Sequence, residues 1–168
     1  ELSSPSRVPF DQRVIDALHP DVRPGVVKYY ESGKTAKDSA SRDLLKRAME
    51  FERAFVKAGG LLGAGSDPCC LSVIAGYGDQ RNFELLVEAG FTPEQAVQIM
   101  SANGAKILGI DTRVGTIKPG MQADLVVIQG DPTARPADIR NVKTVFKFGL
   151  GYDAAALTRF VNGRIGVR

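Results

Sequence analysis

The sequence predicts an α/β fold up to about residue 110 and a mostly β segment after it, on three observations. An amphipathic helical pattern runs straight into a short apolar stretch flanked by glycine at 61–66. Helical patterns then recur as far as Gly109. Beyond Gly109 the apolar runs shorten and alternate around a Pro119-Gly120 turn. A helix followed at once by a buried strand is the order that a parallel sheet with crossover helices produces. The predicted boundary divides the chain into 1–110 and 111–168.

The elements follow in order. Pro5, Pro9, Pro20, Pro24 and Gly25 punctuate the first 35 residues around short helical pieces at 11–18 and 26–30. From 38 to 58, Leu44, Leu45, Ala48, Phe51, Phe55 and Val56 keep to one helical face, with Asp38 as cap and Gly59-Gly60 as stop. Residues 61–66 read as a buried strand and 69–82 as a loop. A helix at 83–89 ends at Gly90. The next opens on "TPEQ", with Thr92 at the cap, Pro93 at the first helical position and Gln95 completing a capping box. It runs to Leu108. "VGTIKPGMQADLVVIQGDP" reads as two short strands, "VKTVFKF" as a strand with one buried face that ends at Gly149 and Gly151, and 154–161 as a short closing helix.

Composition narrows the function classes. With 43% hydrophobic and 24% charged residues the chain has a soluble globular balance. Its 22 basic and 19 acidic residues are scattered, without the basic stripe of a nucleic-acid binder. No apolar run approaches the ~18–20 residues of a membrane helix, so neither nucleic acid nor membrane is an expected partner. The first ten residues lack the charged start and apolar middle of a secretion signal, and no initiator Met is present, so the compartment stays open. Cys69 and Cys70 are adjacent and match neither a disulfide framework nor a zinc ribbon.

Two phosphate-loop patterns fail. "GAGSDP" reaches Pro68 where a dinucleotide fingerprint needs a helix. "SGKT" lacks the earlier glycine of a Walker loop, since Lys28 stands there, and reads as an exposed turn. His19, the sole histidine, sits beside Pro20 as a surface or helix-end residue. Asp67 is different. At the C-terminal end of a parallel strand it would stand where such sheets place their chemistry; the local sequence by itself favours an Asp-Pro turn that ends the strand.

"AGGLLGAGSDP", "GDQRNFELLVEAGFTPEQAVQIMSANGAKILGI" and "RVGTIKPGMQADLVVIQGDP" together resemble the C-terminal third of metal-dependent amidohydrolases, nearest the imidazolonepropionase-like and peptidase-like branch, over about residues 38 to 153. The resemblance implies the C-terminal part of a (β/α)₈ barrel over 1–110 and part of a small β-sandwich over 111–168. In such enzymes two histidines after the first strand, a modified lysine or a glutamate, two further histidines and an aspartate ending the eighth strand hold the metal. Only the last position falls in this chain, at Asp67. Its implied roles are to ligate a divalent metal, zinc by expectation, and to take a proton from the attacking water before returning it to the leaving amine.

The departures from the family pattern set further expectations. A whole barrel takes ~250 residues, and this chain holds no H-x-H. The loop that in related sequences often carries a histidine reads "GDQRNF", with Tyr77, Asp79 and Arg81 as candidate substrate-loop residues or a solvated loop. The expected function is hydrolysis of a small-molecule, amide-type carbon–nitrogen bond, by a chain inactive alone and completed by the remaining barrel polypeptide or an oligomeric partner, because an isolated barrel strand leaves both edges unpaired. The alternative is a non-catalytic structural or partner-binding module derived from such an enzyme.

Overall fold

The computed structural model describes residues 10–35, 39–68 and 74–166. Asp38, Cys69 and Cys70 lie outside them, so the cap and the cysteine pair read from the sequence are not described.

Asp11 opens the first helix, α1 (Gln12–Ala17), by accepting the Arg13 backbone N–H at 3.0 Å. α2 (Arg23–Thr35) is longer than the sequence pattern suggested, and Ser32 to Thr35 form its last turn and not a loop. The carbonyls at the end of α1 are taken up by distant groups. Gly163 donates to Asp16, Arg164 and Ile165 to Ala17, and Arg23 Nε to Leu18, which also bridges in parallel to Ile165. The end of the chain therefore closes back on its first helix. Val14, Ile15, Leu18, Val26, Tyr30 and Ile74 form a first core there, with Tyr77 and Ile165 packed against it.

α3 (Ser39–Lys57) ends at Gly59, whose φ of 90° lets the chain reverse. Met49 and Val56 of α3 reach a second core of Phe83, Leu86, Ala89, Phe91, Ala96 and Ile99. Of the face read from the sequence Val56 does so, but Leu44 is 65% and Phe51 71% exposed. The amphipathic pattern is real, but nothing among the described residues covers those side chains.

α4 (Tyr77–Glu88) begins six residues earlier than expected, so Tyr77, Asp79 and Arg81 stand on a helix and not on a loop. The side chain of Asp79 explains the start, since its Oδ2 accepts the Gly76 N–H at 3.1 Å and satisfies an orphan donor. α5 (Pro93–Gln98) has the capping box foreseen: Thr92 N–H donates to Gln95 Oε1 at 2.9 Å, and Gln95 N–H to Thr92 Oγ1 at 3.3 Å. The helix then widens into a π segment at Ile99–Asn103 before α6 (Gly104–Ile107).

No strand forms at 61–68. A parallel strand needs neighbours to take its backbone groups, and among the described residues side chains serve two of them instead. Asn103 Nδ2 donates to Leu62 O at 2.8 Å, and Ser66 N–H donates to Asp79 Oδ1 at 3.1 Å.

The sheet that does form is antiparallel, in the order β1 (Leu125–Ile128), β2 (Val142–Lys147), β3 (Leu150–Asp153), with a 3₁₀ turn at Pro136–Arg140 between the first two. The first strand expected in "VGTIKPG" is absent. β2 ends just before Gly149, as expected, but the chain turns there into a further strand: the two-residue hairpin turn holds Phe148 at φ 52° and Gly149 at φ 80°, and Gly151 lies within β3. Asp124 of the "ADL" motif secures that turn by accepting from Phe148 N–H at 2.8 Å and from Lys147 Nζ at 2.6 Å. α7 (Ala154–Val161) closes the chain as foreseen, capped by Asp153.

The glycine of "RVGTI" has a packing reason. Gly115 has φ 96°, and an added Cβ would meet Ala105 Cβ at 2.6 Å and the backbone at Ala102 Cα at 3.2 Å. Gly115→Ala is expected to cost about 2–4 kcal/mol, combining strained backbone with overpacking. Gly120→Ala, at φ 85° with nothing within 4 Å, carries only the backbone part. Urea unfolding midpoints check the difference; equal midpoints for the two variants contradict it.

Candidate functional site

Asp67 ends the irregular stretch of small residues that follows α3. Its carboxylate is exposed and makes no hydrogen bond or ion pair among the described residues. The backbone under it is more constrained. Ser66 N–H is held by Asp79, and Pro68 restricts Asp67 itself to extended conformations. Gly63 brings the same stretch close to the α6 helix, because an added Cβ there would lie 2.7 Å from Ile107 Cδ1 and 4.0 Å from Gly104 Cα.

The three candidates around 77–81 have other commitments. The Tyr77 ring is half-buried against the first core, with the Arg13 guanidinium 5.3 Å from its centroid. Burial pushes its hydroxyl pKa up, the nearby Arg13 opposes this, and Asp11 and Asp16 add to it. Arg81 pairs with Glu84 at 2.9 Å and with Glu88 at 3.7 Å. Of the three, Asp79 alone is brought to Asp67's neighbourhood, through Ser66.

A cluster absent from the sequence reading joins distant parts of the chain. Arg140 grips Glu84 with two hydrogen bonds, Nε to Oε1 at 2.6 Å and Nη2 to Oε2 at 2.7 Å, and reaches Asp11 Oδ2 at 3.2 Å. Arg13 Nη2 closes the set on Asp11 Oδ2 at 2.6 Å. Burial pushes the Glu84 carboxyl up, but the hydrogen bonds and charges of Arg140 and Arg81 outweigh it and hold the pKa below its ordinary value. Asp11 behaves alike: burial raises it, and Arg13 with Arg140 brings it below normal. The Arg81–Glu84 pair, three residues apart, falls on one helix only because α4 begins at Tyr77 and not at residue 83 as expected.

A divalent metal needs several converging donors. Among the described residues no group of three or more His, Cys, Asp or Glu side chains converges. The exposed, unpaired carboxylate of Asp67 fits one position of such a set; the rest of the set is not found in the described residues.

A model of the amidohydrolase family matches residues 34–165. The chain belongs to the amidohydrolase family. Within it, 60 residues are 43% identical to imidazolonepropionase from Shewanella loihica, covering 36% of this chain and 13% of that protein. The solved amidohydrolase from Thermotoga maritima aligns at 29% identity and a TM-score of 0.51 over 62% of this chain and 26% of its own. The bottromycin amidohydrolase aligns over 94% of this chain and 36% of its own, at 21% identity and a TM-score of 0.69, a likeness of fold. The chain thus spans from 13% to 36% of the length of these relatives. Asp67 and the small residues before it lie inside the family match, as do Asp79, Glu84 and Asn103.

Proposed function

We propose that this chain is the C-terminal part of a metal-dependent amidohydrolase that cleaves amide-type carbon–nitrogen bonds by attack of water, with Asp67 as ligand and proton carrier. The observation that carries this reading is an exposed carboxylate without a partner among the described residues, on a backbone restricted by Asp79 through Ser66 and by Pro68, inside the segment that matches the family. A divalent cation, zinc by its suitability, would supply Lewis acidity and lower the pKa of water at the site toward neutrality. Asp67 would hold one position of such a site, and its carboxylate is the group that would take a proton from the attacking water and return it to the leaving amine. The substrate is a small amide or a dipeptide-like molecule.

On this reading residues 1–110 complete a barrel and 111–168 complete a β-sandwich, against polypeptide that supplies the histidine ligands. The exposed apolar side chains support it: Leu44, Phe51 and Phe55 on α3, and Val126, Leu150 and Tyr152 on the sheet, lie at least 41% open. Contiguous apolar surface of that kind marks a face made for another protein layer. The partner is therefore the remaining barrel, in the same polypeptide or in a second chain.

The test is metal analysis joined to turnover. The complete assembly is expected to carry divalent metal, to lose hydrolysis of simple amide substrates on chelation, and to regain it with Zn²⁺; residues 1–168 alone are expected to retain no metal and turn nothing over. An isolated chain that hydrolyses amides at the rate of the assembly refutes the proposal. The missing convergence of donors among the described residues favours one other reading, a non-catalytic module kept for its binding surface.

A further inference from the structure

Three features lie outside the proposed chemistry. The Arg140 cluster joins helices and carries no ligand geometry. The apolar faces of α3 and the sheet belong to the completion already proposed. The third feature is the pair of side chains that grip the segment leading to Asp67, and it carries an inference.

We propose that Asp79 and Asn103 are positioning residues that set where the Asp67 carboxylate stands. Asn103 donates from Nδ2 to Leu62 O at 2.8 Å, across 41 residues of sequence. Asp79 accepts Ser66 N–H on one oxygen and Gly76 N–H on the other, each at 3.1 Å. Between the two grips lie four residue steps, and Asp67 follows the second grip directly. Pro68 removes most of the remaining backbone freedom of Asp67. The carboxylate is left with little beyond its own side-chain rotation.

Each grip has a local origin. Asn is a weak helix former and competes with the backbone for hydrogen bonds. Here it closes the π segment Ile99–Asn103, and a π turn rotates the following side chains out of the regular helical register. The residue that closes the turn is the one that reaches Leu62. Asp79 joins two structures with one group: its Oδ2 starts α4, and its Oδ1 ties that start to the residue before Asp67. A carboxylate that bridges two backbone amides this way fixes their separation, so α4 and the Asp67 loop move together.

The inference rests on the reading of Asp67 as a ligand, and the experiment separates the two. In the complete, Zn²⁺-loaded assembly, Asp79→Ala and Asn103→Ala are expected to weaken metal retention against a competing chelator by roughly 10–100-fold, the usual effect of losing an outer-shell partner. The rate constant for turnover falls in parallel while KM changes little. Asp79→Asn keeps one acceptor oxygen and recovers part of the loss, and Asn103→Ala, which leaves the α4 cap intact, shows the same weakening, which loss of that cap alone does not produce. Independently, amide hydrogen exchange at Ser66 is expected to quicken about tenfold in Asp79→Ala, the worth of one lost hydrogen bond. If Asp67→Asn releases the metal but Asp79→Ala changes neither retention nor Ser66 exchange, the positioning role is wrong and the hydrolase reading stands. If Asp67→Asn changes neither metal content nor turnover, the hydrolase reading falls and takes the positioning role with it.

Discussion

Asp67→Asn in the complete assembly lowers turnover by roughly 10²–10⁴-fold, the span attributed to a positioned general acid–base group. Asparagine keeps the shape of the side chain but carries no charge for a cation and accepts no proton from water. In residues 1–168 alone the same substitution leaves stability within about 0.5 kcal/mol, because an exposed side chain without partners among the described residues contributes little to folding. The two readouts together are diagnostic. Steady-state kinetics on the assembly and thermal unfolding of the 168-residue chain measure them; unchanged kinetics assigns the chain to the non-catalytic reading.

The second large effect is on the fold. Arg140→Ala leaves Glu84 and Asp11, whose side chains are 12% and 15% exposed, without their shared cation. Breaking one partner of a fully buried pair costs about 3–5 kcal/mol, and the partial exposure here lowers the expected loss to about 2 kcal/mol. Arg140→Lys keeps the charge but not the two-pronged grip on Glu84, and falls between. The pH dependence has a definite sign. Glu84 and Asp11 have folded-state pKa values held below ordinary ones, so their stabilisation is fully present above the unfolded value of ~4. It is lost as pH falls through the lower folded values. Wild-type protein therefore loses stability on acidification below about pH 4, whereas Arg140→Ala, already deprived of the pairing, loses less. Unfolding curves at pH 7 and near pH 3 check this: the gap between wild type and variant narrows in acid. A gap that stays constant or widens contradicts the assignment.

Legibility of this molecule varied with the range of the interactions. The capping box at Thr92–Gln95, the stops at Gly59, Gly90 and Gly109, the strand at Val142–Lys147 and the helix at Ala154–Val161 were all readable, because each depends on residues a few positions apart. The strand expected at 61–66 depends on neighbours that the described residues do not provide, so its apolar run alone was not enough. The amphipathic face of α3 was readable as a pattern, but not what lies against it, since periodicity reports a face and not what covers it. The start of α4 was missed because its cap is a glycine, with the side-chain acceptor contributed from three residues later by Asp79.

What the sequence determined by itself was local: helix ends, turn chemistry, the short β segments after Gly109, and a family likeness carried by motifs around Asp67. Tertiary structure alone decided the partners. Asp79 reaches across 13 residues to Ser66, Asn103 across 41 to Leu62, and Arg140 across 56 to Glu84 and 129 to Asp11. A single polar residue shows its donors and acceptors but not which distant group they meet, because that choice is made when the apolar cores bring the helices together.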